Sequence, residues 1–214
     1  VILAIAIVGG LAEAAAWTLV ALRRARVWSS LAVVLAAAGV AALATGRIAL
    51  SPRVDAALSA GVGLASGAAL FVATRVFVAV VLRLWPPFLR HVRAIYGQQG
   101  GWSLGAVLLA ALAVEVGEEL FWRGLVQGRL SASGGRVSGA LIAWLAYVGA
   151  NLPSANLPII AGAVVGGAVW GALAFWTGGV LACLLCHAAW TELMIAFPPA
   201  GTRERAPRTA RAST

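Results

Sequence analysis

Long apolar stretches broken by short basic links dominate the chain, and their lengths predict helices that cross a bilayer. A hydrocarbon layer about 30 Å thick takes roughly 20 apolar residues of helix to span. Residues 1–22 form the first such stretch, interrupted only by Glu13 and closed by Arg23, Arg24 and Arg26, and 27–45 form the second. Ser51, Pro52 and Arg53 read as a turn before a third span over 56–84, which carries Arg75. From 86 to 101, Phe88, Leu89, Val92 and Tyr96 alternate with Arg90, His91 and Arg93, as in a helix lying in the interface. A fourth span runs from Trp102 to about 130 with Ser103 or its neighbour as N-cap, followed by spans at about 137–152, 159–176 and 180–197. The expected fold is an all-α, polytopic transmembrane helical bundle of about seven spans (six to eight) plus the interfacial segment.

Composition agrees. The 214 residues are 62% hydrophobic and 11% charged, too little polar surface for a soluble fold of this size. One transmembrane domain over 1–200 is expected, with 201–214 an Arg-rich, disordered cytoplasmic tail. The chain opens on Val1 rather than methionine, which leaves the total span count open, and its first stretch lacks the basic start and polar end of a signal peptide. All 16 basic residues are arginine, and most flank apolar stretches, so the net charge of +9 reads as membrane orientation and attraction to anionic headgroups, not nucleic-acid binding. The links after spans one and three and the tail are the most basic, which places the C-terminus in the cytoplasm of a multi-pass plasma-membrane protein. Arg129 and Arg136 then fall on the outer side. Trp28, Trp85, Trp102 and Trp176 lie near span ends, as an aromatic belt requires. Gly162, Gly166, Gly167 and Gly171 have the GxxxG spacing of close helix approach, although glycine and alanine are abundant throughout.

Candidate chemistry centres on Glu115, Glu118 and Glu119, three of only seven acidic residues, which helical spacing places on one face. A charged side chain at mid-bilayer costs roughly 2.5 to 3.5 kcal/mol on insertion scales, so such residues face a polar interior and mark function. Glu119 and Arg123 stand four apart in the favourable order for an ion pair, which leaves Glu118 free. Two carboxylates this close do not both ionise easily, which suits Glu118 to general-base work on water. The competing reading is a solvated helix end near Arg129. His187 lies in an apolar stretch with Thr191 and Glu192 following, a polar stripe that favours an inward-facing site. Cys183-Leu-Leu-Cys186-His187 fits the c-type haem attachment pattern, but leucines within a span make that a coincidence. The same three side chains could bind zinc, yet spacing indicates no fourth ligand and no HExxH is present.

Glu118-Glu119-Leu120-Phe121-Trp122-Arg123 matches EExxxR, and with His187-Ala188-Ala189-Trp190 on a later apolar helix it resembles the CAAX protease and bacteriocin-processing (CPBP, or Abi) family, which includes the type II CAAX prenyl endopeptidases. The resemblance covers a core of about 100–197. Members are intramembrane endopeptidases in which the first glutamate of EExxxR and a histidine of an FxxxH motif activate water, while a later histidine, followed four residues on by Asn or Asp, stabilises the oxyanion. The resemblance therefore implies Glu118 as base, Glu119 and Arg123 as its supporting pair, and His187 as the oxyanion or proton-transfer residue. Two positions depart: Tyr147-Val-Gly-Ala-Asn151 puts asparagine where FxxxH has histidine, and Thr191 stands four after His187. Asn151 can orient water but cannot shuttle a proton, and Thr191 can donate a hydrogen bond. A divalent metal such as zinc enters only through the resemblance.

The expected activity is cleavage of a peptide bond near the terminus of a membrane-anchored peptide or protein by Glu118-activated water. The first alternative is a catalytically impaired member acting as a membrane scaffold or immunity-type interaction protein. The second is a small-solute transporter using Glu13, Arg75 and the glutamates, although no internal repeat supports it and Glu13 and Arg75 more simply pair with each other.

Overall fold

The computed structural model describes residues 1–97, 101–199 and 201–202, so the expected disordered tail lies almost wholly outside the described residues. Among them the chain is helical without a strand: α1 (Ile2–Ala21), α2 (Val27–Leu43), α3 (Ala56–Leu84), α4 (Phe88–Tyr96), α5 (Leu104–Glu118), a π-helical segment (Glu119–Gln127), α6 (Gly128–Gly134), α7 (Arg136–Asn151), α8 (Leu157–Thr177) and α9 (Leu181–Ala196). Asp55 and Ser103 start α3 and α5 by accepting from Ala57, Leu58 and Ala106 amides, satisfying donors that the first turn leaves orphaned.

The distribution of side chains is inverted relative to a water-soluble protein. Val33 and Leu109 are 70% and 71% exposed, and Leu3, Val72 and Leu145 also face outward, whereas Glu13, Glu115, Glu118, Glu119, Arg123, Asn151 and His187 are buried. Only a hydrocarbon solvent rewards that arrangement. Four helical stretches, Ile2–Ala21, Ala56–Leu84, Arg136–Ser154 and Leu157–Thr177, are long and apolar enough to cross a membrane, and Val27–Leu43 and Leu181–Ala196 are shorter apolar helices. The chain is an integral membrane protein built as a helical bundle.

One end of the bundle gathers the α2–α3 link and the α8–α9 turn, joined where Val180 and Leu181 amides donate to the Ala49 and Leu50 carbonyls. The opposite end carries α4 and the exit of α9, where Arg75 donates to the carbonyls of Phe197 and Pro198 at 2.5 and 2.9 Å, and Tyr96 donates to that of Met194 at 2.9 Å. Helix α4 buries Phe88 and Val92 against Val78 and leaves Arg90 and Arg93 exposed, the two-faced pattern of the expected interfacial segment.

Close backbone approach occurs at glycines other than those in the α8 run. In α2 and α5, Gly39 and Gly117 face one another, and a Cβ on Gly117 would collide with the Leu35 carbonyl. Between α3 and α9, a Cβ on Gly63 would lie 2.5 Å from the Ala182 oxygen, and one on Gly67 2.6 Å from that of Cys186. Gly166 and Gly167 of α8 instead make room for aromatic rings, Trp170 and Tyr147, because the large side chains of this core cluster there. Gly63→Ala is expected to destabilise the protein by about 1 to 3 kcal/mol through forced separation of α3 and α9. Gly61→Ala, with nothing within 4 Å of its added carbon, serves as the control in thermal unfolding in detergent.

Candidate active site

The motif-bearing helix changes pitch at the glutamates. Helix α5 ends at Glu118 and the π segment begins at Glu119, so the two carboxylates part company at the point where the hydrogen-bond pattern lengthens. Every residue from Gly117 to Gln127 except Gly124 is buried, which rules out a solvated helix end. Glu118 points toward α7 and α9, where its Oε2 accepts from the Tyr147 hydroxyl at 3.1 Å and lies 3.9 Å from His187 Nδ1. Glu119 is committed elsewhere. Its Oε1 takes both Arg123 Nη1 at 3.2 Å and His187 Nδ1 at 2.9 Å.

Arg123 is held on several sides at once. Its Nη2 donates to the Gly167 carbonyl at 3.3 Å, and its guanidinium lies over the Tyr147 ring at 4.3 Å and the Trp170 ring at 5.3 Å. His187 stacks on Trp170 with centroids 3.6 Å apart. Two α8 glycines offer carbonyls to the π segment: Gly167 to Arg123, and Gly171 to Gln127 at 2.9 Å. Imidazole and guanidinium thus share one carboxylate oxygen from opposite helices.

A cavity of about 210 Å³ opens from Glu118 toward the end of the bundle that carries α4. Glu115, Glu118, Tyr147, Asn151, His187 and Thr191 all line it, and at about 30 Å³ per water it has room for several. Of the residues singled out from sequence, the fold thus brings Glu118, Asn151, His187 and Thr191 to one space, with Glu119 and Arg123 behind its wall. Trp28, expected in an aromatic belt, lines this cavity instead, while Trp85, Trp102 and Trp176 are exposed.

Asn151 is anchored by its amide nitrogen, which donates at 3.0 Å to both Glu13 Oε1 and the Tyr147 carbonyl. Glu13 Oε2 accepts from Trp122 Nε1 at 2.7 Å. Sequence reasoning paired Glu13 with Arg75; the structure separates them, because Trp122 and Asn151 supply both oxygens of Glu13 with donors while the α9 exit offers Arg75 free carbonyls. Glu13, Tyr147, Trp122 and Trp170 are the site-forming residues that sequence reasoning did not assign; the one available signal was Glu13 itself, a single acid in an apolar span. Thr191 sits beside Glu115, within interaction range of its carboxyl group.

Among the described residues no three His, Cys, Asp or Glu side chains converge as metal ligands. Cys183 donates to the Val180 carbonyl at 3.2 Å, and both cysteines are buried and unpaired. A zinc site needs at least three such ligands on one point, so these residues do not fit zinc and no step below is routed through a metal.

Residues 100–192 match the Rce1-like family of type II CAAX prenyl endopeptidases. No curated protein and no solved structure matches the chain. The Rce1-like segment contains Glu115, Glu118, Glu119, Arg123, Tyr147, Asn151, Trp170, His187 and Thr191. Glu13 lies outside it, on α1, and reaches the Rce1-like residues only through the packing of that helix.

Proposed function

We propose that the protein is an intramembrane endopeptidase that cleaves near the terminus of a membrane-anchored peptide, with Glu118 as general base. The observation that carries this is the division of labour between adjacent carboxylates: Glu119 is spent on Arg123 and His187, whereas Glu118 lines a cavity large enough for water. In this mechanism Glu118 takes a proton from water as the oxygen attacks the scissile carbonyl, then returns it to the leaving amine. Asn151 Oδ1, which makes no hydrogen bond among the described residues, accepts from the attacking water. His187, oriented by Glu119, donates from its second ring nitrogen to the oxyanion when protonated, and Thr191 adds a hydroxyl donor.

The catalytically impaired reading is favoured by one observation, the asparagine at 151, whose amide is locked between Glu13 and Tyr147 and transfers no proton. The two separate by assay. Purified protein in proteoliposomes is expected to cleave a lipidated fluorogenic peptide, and Asn151→His to raise turnover by about tenfold or more, within the range that acid–base groups contribute. Absence of cleavage by both proteins would leave the scaffold reading.

The proposed topology has seven crossings, with α5, the π segment and α6 forming one of them and α2 and α9 spanning through local thinning or snorkelling. In this reading the end carrying α4 and the exit of α9 faces the cytoplasm, and the membrane is the plasma membrane.

A further inference from the structure

At the end of the bundle away from the carboxylate cavity lies a second pocket, of about 350 Å³, walled by the α2–α3 link, the end of the π segment, the start of α7 and the α8–α9 turn. Five arginines line it, Arg47, Arg53, Arg123, Arg129 and Arg136, and no acid does. Arg123 forms part of the wall with its charge already met by Glu119. The acid nearest in sequence to Arg53, Asp55, is turned to cap α3.

The other four are collected by separate elements onto one space. Arg53 Nη1 and Arg136 Nη2 lie 3.3 and 2.6 Å from one and the same oxygen, the Phe175 carbonyl, and the Arg136 guanidinium also lies over the Phe175 ring at 4.3 Å. Gly178, at φ +74°, makes the turn that lets the chain pass the Arg53 side chain, which a Cβ would meet at 3.0 Å. Arg47 and Arg129 make no side-chain hydrogen bond or ion pair among the described residues. Like charges gathered this closely repel unless an anion shares the space, and guanidinium forks match phosphate oxygens two at a time.

Arginines that merely orient a membrane protein need only lie on the cytoplasmic side; they need not converge. In the proposed topology these four face the opposite side, so orientation does not account for them. The pocket also sits where α2, α3, α8 and α9 reach their ends, which in the proposed topology is the level of the headgroups, with Ile2 and Phe175 as apolar walls.

We propose that this pocket binds a phosphate-bearing anion, supplied by the headgroup of an anionic phospholipid. The site is separate from the carboxylate cavity and does not depend on peptidase activity. The test uses the full chain in phosphatidylcholine nanodiscs containing phosphatidic acid, with native mass spectrometry counting retained lipid. In a parallel arm, inorganic phosphate is titrated against thermal unfolding in pure phosphatidylcholine nanodiscs. The wild type is expected to retain phosphatidic acid, and the double variant Arg53→Gln/Arg136→Gln to bind it about tenfold or more weakly, as loss of charge-assisted bonds to phosphate requires. Arg24→Gln, on an exposed arginine away from the pocket, is expected to behave as wild type.

Should the double variant fold poorly, Arg47→Gln/Arg129→Gln removes two guanidiniums with no protein partner among the described residues and carries the same expectation. Stabilisation of the wild type, and not of these variants, by inorganic phosphate alone would support the site with a soluble phosphate as its source. Equal phosphatidic acid retention by wild type and both double variants, with no phosphate effect, would overturn the proposal.

Discussion

Glu118→Gln is expected to lower peptide turnover by about two to four orders of magnitude while leaving the unfolding temperature near that of the wild type. Glutamine keeps the shape of the side chain and an oxygen to accept from Tyr147, so the 3.1 Å contact at the cavity wall survives. What disappears is the capacity to take a proton from water. Steady-state kinetics in proteoliposomes should therefore show the loss in kcat with KM little changed, because substrate binding does not use the proton. Turnover that persists after this exchange would remove Glu118 from the role of base.

The largest expected effect on stability comes from Glu119→Ala, at about 3 to 5 kcal/mol. Glu119 and Arg123 are 0% and 5% exposed, and removal of the carboxylate leaves the guanidinium with one carbonyl and two aromatic faces. The penalty arises from the stranded cation, not from the intrinsic worth of the pair. Adding Arg123→Met to Glu119→Ala should thus recover part of the lost stability, and a double-mutant cycle by chemical denaturation reads the coupling. Glu119→Gln should fall between the two, since its amide oxygen still accepts from Arg123 or His187. An unchanged unfolding midpoint in Glu119→Ala would show that Arg123 finds another partner and that Glu119 holds little in place.

The two substitutions separate what the motif Glu118-Glu119-x-x-x-Arg123 merges. Adjacent in sequence, the two acids look interchangeable; the structure gives one to water and the other to the protein interior. The change from α to π pitch at Glu119 lies at that division. No pattern of apolar positions announces such a change, because all but one of the residues from Gly117 to Gln127 are buried and the segment has no solvent face to mark its period.

Glycine shows the same limit from another side. The spacing Gly162, Gly166, Gly167 and Gly171 suggests tight helix contact in α8, but close backbone contacts are made at Gly39, Gly63, Gly67, Gly117 and Gly139, of which Gly63 and Gly67 share the same GxxxG spacing. Spacing records only that a face is small. Whether a backbone or an aromatic ring fills the space depends on which neighbour arrives, and Tyr147 and Trp170 arrive at α8.

The sequence by itself determined that this is a helical protein of the membrane, because the length and purity of its apolar stretches admit no other solvent. It also determined the ends of most helices, the N-cap at Ser103, the two-faced character of α4, and the segment on which family resemblance rests. These follow from local chemistry: hydrophobicity, capping and motif spacing act within a few residues of one another. Only the tertiary structure decided that Glu13 holds Asn151, that Arg75 turns to the carbonyls at the exit of α9, and that Arg47, Arg53, Arg129 and Arg136 converge. Those pairings join positions far apart in the chain, and a buried charge takes whichever partner the packing of the helices brings within reach.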